Sequence, residues 1–321
     1  MTILICGVRS EPPVQLLIDA LTEKKADFFI LNQPDMVEYV RLRWLLSDKG
    51  ISGAIQIDDN VVDLRDISGV FHRFMSVDHM ECAAHNITHQ RRTRSLVTGL
   101  MDLFDILPAR IVNSRRAMLT NVSKPFQSLI IRQAGFLVPE TMITNIADRA
   151  RNFIEEQGEV IFKSISSVRS IVEKTEGNRS GRLESVRLLP TQFQRKINGD
   201  NIRVHVVGEQ TFASRIKTSA TDYRYAPLEN ETISIEPYEL DESIKNRCII
   251  LTQQLDLLFA GIDLIVTDDK VFCLEVNTSP AYSFYQQRTQ QPIAQSLAEL
   301  LIGDFQKERN QKRPRIKPAI A

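Results

Sequence analysis

Apolar positions along this chain change their spacing several times, and those changes divide it into elements. Thr2 to Cys6 is a continuous β-rich apolar run ended by Gly7, and after Pro12-Pro13 the positions Leu16, Leu17, Ala20 and Leu21 take up helical spacing. A second strand follows at Phe28 to Leu31. A β-α-β opening predicts a parallel sheet, because a strand that returns in the same direction needs a crossover. Ile51 to Ile57 and Val61 to Leu64 flank Asp58-Asp59-Asn60 and predict a hairpin. Val70 to Phe74 reads as another strand, and a long helix is expected from His79 to Leu107, stopped by Pro108.

The character changes near residue 112, where a first domain boundary is expected. A short strand, Ile111 to Asn113, is followed by Ser114 as an N-cap and a short helix; a second helix starts near Ser123 and ends at Gly135. Thr141 to Thr144 predicts a strand, followed by a helix, a strand at Val160 to Lys163, and a hairpin across Glu176-Gly177-Asn178. From Pro190 the chain is strongly β: Thr191 to Ile197, Asn201 to Val207, and Gln210 to Ile216 across Gly208-Glu209. A helix over Asp241 to Leu255, a hairpin across Asp268-Asp269 and a last helix near Pro292 to Ile302 complete the pattern.

Composition narrows the classes. Lys+Arg 40 against Asp+Glu 40 gives a formal net charge of zero, which excludes a globally basic nucleic-acid coater and an acidic disordered chain. No apolar run is long enough to span a bilayer, and the amino terminus has no basic n-region or long h-region. The four cysteines are too scattered for a disulfide scaffold, so a reducing cytoplasm is expected. The tail from Gln306 carries Lys307, Arg309, Lys312, Arg313, Arg315 and Lys317 against Glu308 and reads as flexible and solvated. His79, Cys82, His85 and His89 would share a helix face, yet the first and last would stand about 15 Å apart, too far for one tetrahedral zinc. Motifs for serine hydrolases, P-loops and dinucleotide-binding turns are missing.

The chemistry concentrates in Gly261-Ile-Asp263-Leu-Ile-Val-Thr-Asp-Asp-Lys-Val-Phe-Cys-Leu-Glu275-Val-Asn277. Glu275 and Asn277 stand two apart in a strand and project to one face, and the turn at Asp268-Asp269 folds Asp263 back beside them. Three hard oxygen donors on an antiparallel pair suit Mg²⁺ with bound phosphates. Such chemistry also needs cations, and Lys163 at the end of an apolar strand, Arg203 in a strand, Lys124 at a helix start and Arg224 in a loop are candidates.

At these residues the chain resembles the ATP-grasp ligases, in the branch of the ribosomal-protein glutamate ligases, and within it the peptide macrocyclases that make microviridin-type graspetides. Supporting phrases are Val70-Phe-His-Arg73, Phe193-Gln194-Arg-Lys-Ile197, Asn201-Ile-Arg203-Val-His-Val-Val-Gly-Glu-Gln-Thr-Phe212, Asp222-Tyr-Arg224, the metal hairpin and the final Gln291-Pro-Ile-Ala-Gln-Ser-Leu-Ala-Glu-Leu-Leu. The resemblance spans Met1 to about residue 303. It implies an α/β and α+β architecture: a pre-ATP-grasp parallel-sheet domain over 1–112, a central ATP-grasp sub-domain over 113–189, a C-terminal one over 190–305, and a basic flexible tail over 306–321. Lys124 and Lys163 would contact the phosphates of ATP, Gln194 and the backbone of Arg195, Lys196 and Ile197 the adenine, and Asn201 the ribose. Asp263, Glu275 and Asn277 would carry Mg²⁺. Arg224 would bind the transferring phosphate, with Arg203 and Arg215 close by to stabilise an acyl phosphate or tetrahedral oxyanion. Two positions depart from the family pattern: Ser164 to Ser170 contains no glycine, and the ribose position is Asn201 rather than an acid.

The implied activity is ATP- and Mg²⁺-dependent activation of Asp or Glu side chains of a ribosomally made precursor peptide with a leader, closed onto Thr, Ser or Lys as ester or amide macrocycles. A cytoplasmic homodimer without nucleic-acid or membrane partners accompanies it. Two alternatives stand beside it: a ligase adding free amino acids such as glutamate to a protein or small carboxylate, and a non-catalytic peptide-binding scaffold.

Overall fold

The structure, a computed structural model, describes residues 1–77, 86–164, 173, 174, 183, 185–217 and 233–303. It divides into two compact units, one formed by Met1–Arg115 with Pro292–Ala321 and the other by Arg116–Gln291. The tail over 306–321, the turn at Glu176-Gly177-Asn178, and His79, Cys82 and His85 fall outside the described residues.

The first unit is built on β1 (Thr2–Gly7), β2 (Phe28–Asn32), β6 (Ile67–Arg73) and β7 (Arg110–Val112), paired in parallel in the order β2-β1-β6-β7. All of β1 is buried, as expected of a central parallel strand covered on both faces. On one side Leu4, Cys6, Leu31 and Val70 share a core with Leu100, Leu103 and Phe104 of α3 (Ile87–Ile106). The same core takes in Val40, Ile55, Ile57 and Val62 from an antiparallel sheet of β3 (Val40–Ser47), β4 (Gly50–Ile57) and β5 (Asn60–Asp63), and Leu64 just after it. The short α2 (Met36–Tyr39) leads into it. Strand β3 was not anticipated, although its alternation of Val40, Leu42 and Trp44 with Arg41 and Arg43 has the two-residue period of a half-buried strand. Helix α3 starts at Ile87, where the Asn86 side chain accepts from the His89 amide at 3.0 Å. On the other side lies α1 (Pro12–Glu23), whose prolines fit the first helical turn and whose Val14, Leu17, Ile18 and Leu21 are buried.

In the second unit, β8 (Thr141–Thr144), β9 (Val160–Ser164), β10 (Glu173–Lys174) and β11 (Thr191–Arg195) form an antiparallel sheet in the order β10-β9-β11-β8. Helix α6 (Ala147–Gln157) covers it through Ala150 and Phe153 against Val160 and Phe193. A second antiparallel sheet has the order β14-β13-β12-β15-β16 and consists of β12 (Asp200–Val207), β13 (Gln210–Lys217), β14 (Ser234–Pro237), β15 (Phe259–Val266) and β16 (Val271–Asn277). After the short α4 (Arg115–Met118), α5 (Lys124–Gln133) and α7 (Glu242–Gln254) bury Ile131, Ile244, Cys248 and Leu251 against Ile202, Val204, Val206, Ile262, Leu264 and Val276. Helix α8 (Ser283–Thr289) lies toward the opposite face, where its Tyr285 packs with Ile216 and Ile235.

Two expected boundaries move. Strand β11 hydrogen-bonds to β9 and β8, so the change of sheet falls after it rather than at residue 189. The closing helix α9 (Ile293–Ile302) belongs to the first unit, not to the C-terminal sub-domain, and packs on α1 and β6. The reason is its burial: Ile293, Ala294, Leu297, Ala298 and Leu301 need apolar partners around most of the helix. Gly69 of β6 leaves the room, since a Cβ there would lie 3.0 Å from the Leu301 carbonyl oxygen. The buried Arg110 donates from Nη1 to the carbonyl of Leu300, and to that of Gly303 at 2.9 Å, satisfying the last turn.

His72 of β6 is buried between Phe74 and Phe104, with Nε2 at 2.5 Å from the Asn113 carbonyl oxygen. Burial holds its pKa down at about 4, against 6.5 for a free imidazole. The unfolded chain therefore takes the proton first as pH falls. The stability contribution is complete above pH 6.5, declines as pH drops toward 4, and amounts to about 3 kcal/mol by linkage. Urea unfolding followed at Trp44, the single tryptophan, is expected to show this loss between pH 7 and 4. His72→Gln keeps a donor for Asn113 and is expected to flatten that part of the pH profile; an unchanged profile would place the titration elsewhere.

Candidate active site

The pairing of β15 with β16 changes register once. Val266, Ile265 and Leu264 oppose Val271, Phe272 and Cys273, whereas Asp263, Ile262 and Gly261 oppose Glu275, Val276 and Asn277. Leu274 is the extra residue. Without the bulge Asp263 would face Leu274, and Cys273 would share the face of Glu275. With it, Cys273 and Val276 are both buried in the core, and Asp263, Glu275 and Asn277 stand together on the other face. A bulge that re-aims side chains beside a site is a recurrent device.

Two carboxylates directly opposed across strands repel each other. Here each has its own cation. Lys124 Nζ at the start of α5 lies 2.7 Å from Glu275 Oε2, and Arg203 Nη1 on β12 lies 2.6 Å from Asp263 Oδ1. One turn along α5, the buried Gln127 donates from Nε2 to the Val276 carbonyl and accepts from the Val276 amide, both at 2.8 Å. Strand β16 is the sheet edge, and this side-chain amide satisfies the Val276 backbone as another strand would, while the Cys273 amide donates to the Leu137 carbonyl at 2.9 Å. The Asn277 side chain accepts from the Ser279 amide at 2.9 Å, which fixes the turn after the strand. Burial, with Asp263 and Glu275 nearby, pushes the Cys273 thiol well up, so it stays a protonated core residue.

Among the described residues no group of three or more His, Cys, Asp or Glu side chains is arranged to hold a metal. The donor set here is two carboxylates and an amide, all hard oxygen ligands on one sheet face, and it fits Mg²⁺. Asn201 lies on the same face of β12 as Arg203, two residues away. Arg215 does not: it is the register partner of Ile202, so it lies on the opposite face from Arg203, paired with Asp200 at 3.2 Å and stacked 4.7 Å from the Tyr238 ring centroid. Its expected place beside Arg203 is thereby corrected, because neighbouring strand positions face opposite ways. In the other sheet Gln194 is buried and donates to Thr141 Oγ1 at 3.0 Å. The amides of Arg195 and Lys196 donate to the carbonyls of Glu140 and Glu159, and Ile197 follows them directly in the chain. Lys163 lies on β9 in register with Gln192, and Arg224 falls outside the described residues.

Sequence reading did not single out Gln127, the bulge at Leu274, or Gly261 as a packing position. The i, i+3 spacing of Lys124 and Gln127 was the available signal for the first, since it sets both on one helix face.

A helix-backed antiparallel sheet bearing an Asp, Glu and Asn face, next to a second sheet with a lysine-bearing strand, is the arrangement of an ATP-grasp protein. The chain belongs to the RimK-like ATP-grasp family, whose domain model matches residues 123–301, and an ATP-dependent ligase is the enzyme class this indicates. A curated relative, the probable alpha-L-glutamate ligase of Pasteurella multocida (strain Pm70), is 27% identical over 209 residues, covering 62% of this chain and 66% of its own length. The chain thus spans just under two thirds of that relative. The macrocyclase MdnC of Microcystis aeruginosa MRC, solved with precursor peptide MdnA, superposes with a TM-score of 0.78 at 23% identity over 95% of this chain and 100% of its own. The ATP-grasp ligase PsnB, complexed with a phosphomimetic variant of minimal precursor, Mg and ADP, gives 0.78 at 23% identity over 94% and 97%. At these identities the likeness is one of fold. No helix among the described residues is long and apolar enough to cross a membrane.

Gln127→Leu removes both partners of a buried backbone pair. It is expected to cost about 2–4 kcal/mol, read as a lower urea midpoint at an unchanged slope by far-ultraviolet circular dichroism. A midpoint equal to that of the unaltered protein would mean that the β16 edge is satisfied by other groups.

Proposed function

We propose that this protein is an ATP- and Mg²⁺-dependent carboxylate ligase acting on Asp or Glu side chains of a ribosomally made peptide. It would close them onto Thr, Ser or Lys of the same peptide. One observation carries the ligase reading: Asp263 and Glu275 face each other across the bulge, each with a cation of its own, in a chain of the RimK-like ATP-grasp family. The peptide substrate is supported by MdnC and PsnB, both solved with precursor peptides.

Asp263, Glu275 and Asn277 would hold Mg²⁺, which when bound supplies neutralisation of phosphate charge. Lys124 and Lys163 would meet the phosphates, Gln194 and the 195–197 backbone the adenine, and Asn201 the ribose. The substrate carboxylate oxygen attacks the γ-phosphorus as ADP leaves, and an amine or hydroxyl of the peptide then attacks the acyl carbon as phosphate leaves. Arg224 would bind the transferring phosphate, and Arg203 would face the charge that builds on the acyl phosphate or the tetrahedral oxyanion. A fixed guanidinium stabilises such charge without reorganising. Arg215, on the other face, has no part in this reading.

The test mixes the purified protein with Mg-ATP and an acidic, Thr- or Lys-rich peptide encoded beside its gene, and reads intact peptide mass. Loss of one water per linkage is expected. A gain of amino-acid residues when free glutamate is supplied would favour the reaction named for the Pasteurella relative. No mass change and no ADP would overturn both. Asp263→Ala and Glu275→Ala are each expected to lower ADP formation by at least about 100-fold with the circular dichroism spectrum retained. Unchanged ADP formation in either would remove the metal assignment.

A further inference from the structure

We propose that Gly261 and Tyr285 are positioning residues that form a slot for the Arg203 guanidinium. This rests on the reading of Arg203 as a cation facing the acyl phosphate or the tetrahedral oxyanion. The Arg203 side chain leaves β12 almost fully enclosed, 6% exposed, and its Nη1 meets Asp263 at 2.6 Å. The rest of the guanidinium crosses β15 above Gly261. A Cβ built on Gly261 would lie 2.8 Å from Arg203 Nη2 and 2.9 Å from Cζ, closer than a methyl group can approach either atom. No left-handed backbone conformation calls for glycine here, because Gly261 is not among the glycines with positive φ. The space above its Cα is what calls for it. Tyr285 contributes its ring, with the Arg203 Cζ 5.8 Å from the centroid.

The consequence is positional. Gly261 is the register partner of Asn277, and Asp263 of Glu275. A guanidinium lying from Gly261 to Asp263 therefore touches one expected Mg²⁺ ligand, Asp263, and runs along the register partners of the other two, Asn277 and Glu275. Beneath it the buried His205, register partner of Gly261, meets Tyr285 edge-on at 4.8 Å and wedges the ring. Burial and the neighbouring Arg203 push the His205 imidazole well below its usual range. It is therefore neutral and adds no opposing charge. Lysine at 203 would keep the charge but not the planar fork that the slot accommodates.

The experiment is a double-mutant cycle of Gly261→Ala with Arg203→Lys in the full chain, reading ADP formation with the acidic peptide and, separately, the nitrogen–proton resonance of the Arg203 Nε group. Gly261→Ala is expected to lower kcat about 10- to 100-fold, the effect of a shift of about 1 Å, with less than about a threefold change in KM for ATP. The double variant should be no slower than Arg203→Lys alone, because Gly261 acts through the guanidinium. Losses that multiply would overturn the proposal. The methyl group would also lie 2.7 Å from Pro280 Cβ, so a second cycle, Tyr285→Leu with Arg203→Lys, decides the matter if Gly261→Ala fails to fold. The Arg203 resonance is expected to move in Gly261→Ala and Tyr285→Leu and to stay in place in Tyr285→Phe, which keeps the ring. A resonance unmoved by Gly261→Ala or Tyr285→Leu would overturn the slot. If the unaltered protein forms no ADP with any peptide, the ligase reading fails, and the resonances still decide the slot.

Discussion

Asp263 and Glu275 stand opposite one another on adjacent strands, and much of the second unit is explained by what that arrangement requires. Two facing carboxylates on a half-buried sheet repel unless positive charge is supplied close by. Lys124 arrives from the first turn of α5 and Arg203 from the neighbouring strand β12. The two come from elements far apart in sequence, so the sheet and the helix must both be in place before the pair is tolerable. Gln127 follows from the same constraint, since α5 can deliver Lys124 only if it is held against the edge of β16. The apolar face of the sheet serves as the anchor: Ile131 on α5 and the buried face of α7 pack on it.

The opposite face of the sheet accordingly carries the chemistry. Every second residue of β12 and β15 is buried against the helices, and the residues between them can be polar. Arg203 and Arg215 are both strand arginines with carboxylate partners, but they point to opposite sides. Strand parity therefore separates a candidate site cation from an arginine at the rim of the helix-covered face.

The first unit answers a different constraint. A parallel sheet exposes two apolar faces, and one run of chain supplies helices to cover them only in part. Helix α9, the last described, returns to pack on α1 and β6, and Arg110 fastens its carbonyl end. The sheet nearest the amino terminus is thus covered by the last described helix, and the family match over 123–301 takes in most of that helix along with the second unit.

Local pattern determined most of the strands and helices, though not β3 or β14, together with the parallel opening and the metal-type hairpin, because hydrophobic period and turn residues act over a few positions. It also determined which residues are donors, since Asp263, Glu275 and Asn277 are polar interruptions of apolar strands. Three things were decided only by tertiary structure. The register shift at Leu274 depends on which side chains the core accepts, and spacing alone would have set Asp263 opposite Leu274. The partners Lys124 and Gln127 lie about 150 residues from the strand they complete. The side of the sheet on which Arg215 falls depends on its pairing with β12. Each is a relation between distant segments, and only packing enforces it.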